Sequence, residues 1–265
     1  MRIIESFLCG KRPDQTLCED GFVVTDNWAA VVDGSTSKSG RAGGLTAMKT
    51  VISEIRNLPP DATLPEAAEI FTKALSRKNP PEAAARGELR LTCSAVIFSN
   101  RRWEVWMIGD CQCRFGGKTY TNPKLVDTVL TEARADVLKY LLAKGHSVGE
   151  LRENDLGRKA IFDSLREQTN FQNCRDPYNP FRYTVLDGFM PDIRTIPIIS
   201  VGKTDELILA SDGYPVLFDN LEDSEEYLRK DLIKDPLRIY DNAATKTFIP
   251  GNNSFDDRCY VRLAI

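Results

Sequence analysis

The side chains of this sequence best placed to do chemistry are acids at the ends of apolar, β-forming runs. Asp20, Asp33, Asp110 and Asp212 adjoin such runs, as does Asp256 with its neighbour Asp257, and Glu19 stands beside Asp20. A strand tip holds a carboxylate rigidly, and the glycine after Asp33 lets the backbone turn so that its own carbonyl can face the same ligand. Asp and Gly are also default turn residues, so any one junction read alone is a plain corner in which the acid caps the turn. The set is harder to read that way. The chain has one histidine, and an oxygen-only ligand set suits Mg²⁺ or Mn²⁺, which prefer octahedral sites and keep several waters. Two such ions roughly 3.5 to 4 Å apart can bind a phosphoryl group, neutralise its developing charge and turn a shared water into a nucleophile. No Ser-His-Asp set, GxGxxG fingerprint or Walker loop competes with this reading. The glycine-rich stretch 40–44 follows an acid, where a phosphate loop would want none.

Elements must hold these acids in place. Alternation and turn residues predict strands over 2–8, 21–25 and 28–32, the last delivering Asp33. Ala42, Leu45, Met48, Ile52 and Ile55 then form one face of a helix, and Thr63, Pro65 and Glu66 open a second that ends before 79–81. Runs at 91–98, 103–108 and 112–115 read as three strands of an antiparallel meander. Helical periodicity covers 131–143 and 148 to about 168, with Lys144-Gly145 as the stop between them. The stretch 170–180 reads as a loop. Further strands are expected over 182–186, 195–200 and 206–211, then a helix near 224–233 and a final strand over 259–265.

With 42% hydrophobic residues the 265-residue chain can bury a large core. Its net charge of −3 and the lack of a basic stripe argue against nucleic-acid or anionic-membrane partners. Seven cysteines without a CxxC pair favour buried free thiols over disulfides or zinc. The apolar run at the start is short for a signal peptide, and no stretch nears the roughly 20 apolar residues of a membrane helix. The expected compartment is the cytoplasm. No repeat or low-complexity linker marks a break, so one domain is expected over 1–265, with a helical and loop segment at about 131–180.

The segments GKRPDQTLCEDGFVV, WAAVVDGSTS, TCSAVIFSNRRWEVWMIGDCQCRF, DELILASDGYPVLF and NSFDDRCYVRL resemble, in sequence order, the motifs of the metal-dependent protein phosphatase 2C family, in a divergent form of the bacterial type. The resemblance covers about residues 2–265. It implies an α+β fold, a four-layer αββα sandwich of two central antiparallel β-sheets, with a two-metal site in a channel at one edge of the sheets. It further implies that Asp33 bridges two Mn²⁺ or Mg²⁺ ions, that Gly34 offers its carbonyl to one, and that Asp212 and Asp256 are direct ligands of the other. Glu19 and Asp20 resemble the pair that holds metal-bound waters, with Asp20 orienting the attacking hydroxide. Asp20 and Asp33 are therefore the expected catalytic residues. Asp110 resembles the acid that joins Asp212 at a weaker third metal site found in many members. Asp257 would be a neighbour that sets how the ligands point.

Three departures from the family pattern stand out. The phosphate-binding arginine expected four positions before Glu19 is replaced by Gln15, and Arg12, with Lys11, is the candidate substitute. No histidine follows Asp33-Gly34, where this chain has Ser35-Thr36-Ser37-Lys38, and proton delivery falls to metal-bound water. His146, between two helical segments, reads as a surface or cap residue. The third departure is the 131–180 segment, whose helices read as a layer covering a sheet and whose 170–180 loop reads as substrate-facing or regulatory. Cys111 to Cys113 follows Asp110 directly, so oxidation there could disturb it, although buried thiols are usually inert. The expected activity is hydrolysis of phosphoserine or phosphothreonine in proteins by metal-bound hydroxide, with no phosphoenzyme. Alternatives are a small phosphorylated metabolite as substrate, or a non-catalytic binding or scaffold relative, whose signature would be lost metal-site acids; none is lost here.

Overall fold

Two interleaved sets of apolar side chains decide the architecture, one on each face of the same strands. In the computed structural model, which describes residues 1–36, 43–202 and 204–265, the chain runs through strands β1 (Arg2–Cys9), β2 (Asp20–Val24) and β3 (Trp28–Gly34) into helices α1 (Gly43–Arg56) and α2 (Leu64–Ser76). Strands β4 (Cys93–Ser99), β5 (Glu104–Ile108), β6 (Gln112–Phe115) and β7 (Lys118–Tyr120) follow, then helices α3 (Leu125–Ala143), α4 (Val148–Glu153), α5 (Leu156–Ala160) and α6 (Phe162–Glu167). Strands β8 (Ile198–Ser200) and β9 (Glu206–Ala210), helix α7 (Leu221–Lys234) and strand β10 (Arg258–Ala264) complete it. Ala42, Ser37, Lys38 and Gly40, which the sequence reading used, lie outside the described residues.

The strands form two five-stranded sheets, β2-β3-β4-β5-β8 and β1-β10-β9-β6-β7, and every pairing between these strands is antiparallel. Successive strand residues point to opposite faces. Trp28, Ala30 and Val32 of β3 therefore pack outward on α1 and α2, against Val51, Ile55 and Phe71. Ala29 and Val31 point inward with Val96, Phe98 and Met107, and meet Leu209, Cys259 and Val261 of the second sheet. On that sheet's outer face Ile208 and Tyr260 pack with Phe7 of β1 and Leu221 of α7. Arg258 of β10 and Glu225 of α7, paired at 2.8 Å, tie the same layer together. The expected αββα order is thus the one found. Among the described residues no helix is long and apolar enough to cross a membrane.

Four expectations need correction. The meander over 91–115 breaks: β4 and β5 are neighbours, but β6 pairs with β7 and β9 in the other sheet. The chain changes sheets at Gly109-Asp110, where Gly109 takes a φ of 91° that favours glycine. Helix α3 starts six residues earlier than expected, at Leu125. The helix expected over 148–168 is three short ones, because Asp155 caps α5 through the Arg158 amide (2.8 Å) and interrupts the run. The strand expected over 182–186 is absent. There the Asn173 side chain bonds both the Val185 amide (3.1 Å) and its carbonyl (3.0 Å), and only single bridges remain at Tyr183 and Leu186.

The sheet crossing gives a stability test. A Cβ on Gly109 would lie 2.2 Å from Ser94 Oγ and 3.1 Å from Ser94 Cα. Gly109→Ala should destabilise the protein by at least about 1–3 kcal/mol of backbone strain, read as a lower urea midpoint with an unchanged m-value.

Candidate metal centre

The acids lie where the two inward apolar faces run out. In β2, Asp20 shares the inward face of Phe22 and Val24; in β3, Asp33 continues Ala29 and Val31. Asp20 is paired directly with Asp33, and Asp33 with Ser94 of β4. On the facing sheet Asp257 continues the inward row of Cys259 and Val261, and Asp212 follows the end of β9. Carboxylates from both sheets and from the crossing at Asp110 therefore converge at one end of the inter-sheet core. One oxygen each of Asp33, Asp110 and Asp212 lies within 4.8 Å of the other two.

The backbone at Gly34 is as constrained as the side chains. Its amide bonds the Glu19 carbonyl at 2.9 Å, and a Cβ there would lie 2.3 Å from the Gly44 carbonyl oxygen and 2.8 Å from that of Glu19. Only glycine lets α1 start this close to the tip of β3. Glu19 is buried and its Oε2 accepts from Thr36 Oγ1 at 2.5 Å. Asp257 is buried and accepts from the Lys11 amide (2.7 Å), Lys11 Nζ (3.0 Å) and the Glu19 amide (3.3 Å), so it positions the loop that carries Glu19.

Three lysines balance part of this charge. Lys11 Nζ stands 3.3 Å from Asp256 and 3.9 Å from Glu19, Lys246 pairs with the other oxygen of Asp256, and Lys124 pairs with Asp110 at 2.7 Å. Against the penalty of burial, Lys246 and Lys11 hold the Asp256 carboxyl below its usual range, and Lys124 and Ser94 do the same for Asp110. Asp20 and Asp33 have no such partner. Asp20 is 2% exposed and neither of its carboxylate oxygens has a hydrogen-bond partner among the described residues. Burial pushes both carboxyls well above the usual range; the neighbouring acids add to it, and Ser211 beside Asp20 and Asp212 beside Asp33 only partly oppose it. A buried, unpartnered carboxylate opposite a second one costs folding energy unless a cation comes between them.

All the donors are oxygens, two of them orphaned, and the glycine carbonyl is available, which is the chemistry that Mg²⁺ and Mn²⁺ take. The residues present fit that group.

The cluster forms one side of a cleft of about 800 Å³ whose far wall is built from α3, Asp155, Arg158 and the 238–252 loop. Arg134 of α3, fully buried, fixes that wall through Asp155 (2.8 Å) and the carbonyls of Leu237 (2.9 Å) and Ala244 (2.8 Å). The helices after β7 thus shape access rather than only covering a sheet, and residues 170–180 do not line this cleft. Arg12 is exposed at its rim, whereas Lys11 turns inward to the acids. Gln15 spends its amide on Gly10, accepting from the Gly10 nitrogen (2.7 Å) and donating to the Arg12 carbonyl (2.7 Å), and so closes the loop. His146 lies in the turn after α3, away from the cleft. Burial pushes the Cys113 thiol up to about 12 and the buried Cys111 thiol upward as well, which keeps both protonated and inert. Sequence reasoning missed Lys124, Lys246 and Ser94. Of these only Ser94 carried a signal, as the inward position one step beyond Val96.

No family model matches the sequence, and no curated protein matches it. Solved structures do. The serine/threonine phosphatase Stp1 from Staphylococcus aureus aligns with a TM-score of 0.51 at 14% identity, covering 100% of this chain and 96% of its own. The serine/threonine phosphatase PstP/Ppp of Mycobacterium tuberculosis aligns at 0.49 with 15% identity, covering 98% and 97%. The likeness to Stp1 extends over the whole chain and identifies the fold as the protein phosphatase 2C-like sandwich.

The electrostatics predict how the chelated protein responds to pH. Asp20, raised above its unfolded value near 3.9, favours the fold when protonated and opposes it when charged. In chelator, Asp20→Asn should therefore stabilise the protein at pH 7 to 8, by on the order of 1–3 kcal/mol. The gain should fade as pH falls toward 4, where the wild-type carboxyl is itself neutral. Thermal melts across this range check it, and an Asn variant no more stable at pH 8 would contradict the assigned charge.

Proposed function

We propose that this protein, with residues 1–265 as one domain, is a divalent-metal-dependent phosphomonoester hydrolase acting on phosphoserine or phosphothreonine in proteins. The observation that carries the reading is the convergence of carboxylates from both sheets around Asp20, whose oxygens are buried without a partner. Asp33, the Gly34 carbonyl and Asp212 would hold two Mn²⁺ or Mg²⁺ ions together with Asp256, which would give an oxygen to metal by displacing Lys246 or Lys11 from it, with Glu19 and Asp20 beside them. When bound, the ions supply charge neutralisation for the phosphoryl oxygens and a lowered pKa for an attacking water. The remaining work belongs to the chain. Asp20 orients that water by accepting its proton in a hydrogen bond. Asp257 fixes Glu19 and Lys11 through the contacts above. Arg12, exposed at the rim, meets the substrate phosphate. The likeness in fold to a serine/threonine phosphatase supports the protein substrate. A small phosphoester is the second reading, favoured by a cleft of about 800 Å³, within the range of small-ligand sites.

Hydrolysis of para-nitrophenyl phosphate tests the reading. Chelated protein should be silent and regain turnover with Mn²⁺ or Mg²⁺, and Asp33→Asn should lower it by more than about 100-fold. Silence with every metal, with no ion bound by calorimetry, would overturn it. Arg12→Ala should raise KM for a phosphopeptide up to about tenfold, the worth of one charge-assisted hydrogen bond, with kcat little changed. Unchanged KM would remove Arg12 from the site, and faster turnover of metabolites than of phosphopeptides would favour the second reading.

A further inference from the structure

We infer that Lys124 is a resident cation for Asp110, so that the centre takes two divalent ions and closes Asp110 to a third. The inference rests on the metal-dependent reading above. Asp110 has both oxygens engaged: Oδ1 accepts from Ser94 Oγ at 2.6 Å, and Oδ2 pairs with Lys124 Nζ at 2.7 Å. The ammonium group is held from other sides as well. It lies 3.9 Å from Asp127, one turn into α3, and 5.3 Å from the centre of the Tyr183 ring, and its side chain is only 14% exposed. A lysine so placed is a fixed charge and not a solvated one.

The charge count agrees. Glu19, Asp20, Asp33, Asp110, Asp212, Asp256 and Asp257 bring seven formal negative charges, and Lys11, Lys124 and Lys246, paired among them, bring three positive ones. Among the described residues, and with Asp127 beside Lys124 left aside, the balance is −4, the charge that two divalent ions cancel. Asp20, Asp33 and Asp212 are the acids of this group without an ammonium partner among the described residues. The divalent charge therefore belongs there, and the lysine serves the remaining corner of the group formed by Asp33, Asp110 and Asp212. A neutral residue at 124 would leave that corner one positive charge short and free an Asp110 oxygen to ligate.

Equilibrium dialysis of the full chain against Mn²⁺ up to millimolar, with bound metal counted by mass spectrometry, tests this without reference to activity. Wild type should bind two ions, Lys124→Arg two, Lys124→Met three, and Lys124→Met with Asp110→Asn two again. Three ions in wild type, or two in a folded Lys124→Met protein, would overturn the inference while leaving the phosphatase reading standing. No ion in wild type would overturn both. Should Lys124→Met fail to fold, Lys124→Gln takes its place, with three ions expected and two refuting the inference.

Discussion

Asp20 and Asp33 stand directly opposite each other on neighbouring strands, on the face that the two sheets share. Like charges in that position repel, and burial deepens the cost. Most of what surrounds them follows from this constraint. The apolar faces of both sheets align their strand ends, the alternation of side chains turns acids inward there, and the arrangement is tolerable only with positive charge between the carboxylates. Divalent ions fit the part of the cluster that no side chain neutralises.

The protein neutralises the rest itself. Lys11, Lys124 and Lys246 each come from a different loop, and each sits on an acid at the border of the cluster. Their positions divide the site into a region of orphaned oxygens at Asp20 and a rim of paired ones at Asp110 and Asp256. Charge pairing of this kind fixes loops as well as charge: Lys11 joins the loop after β1 to the approach to β10, and Lys124 joins the start of α3 to the sheet crossing.

The cleft opposite the acids belongs to another structural system. α3 to α6 make small apolar clusters of their own, such as Leu138 with Leu151 and Leu237, and are secured by Arg134 rather than by a sheet. This wall packs on itself, and Lys124 and Lys246 tie it to the acids at Asp110 and Asp256.

The sequence alone determined which acids lie at strand ends, and the resemblance it carries implied the αββα order and the carboxylate set. Those signals are local: an apolar run, an acid, a glycine. Alternation along β3 also makes Asp33 share a face with Ala29 and Val31, which is legible from spacing. What only the tertiary structure decided is pairing across distance. That β6 leaves its predicted neighbours for the other sheet depends on a single positive φ at Gly109. That Gln15 staples a loop, and that Lys124 and Lys246 reach Asp110 and Asp256, depends on where loops fold back over the sheet ends. No periodicity encodes such contacts, because they join residues brought together by the packing of two sheets and not by the repeat of any one element.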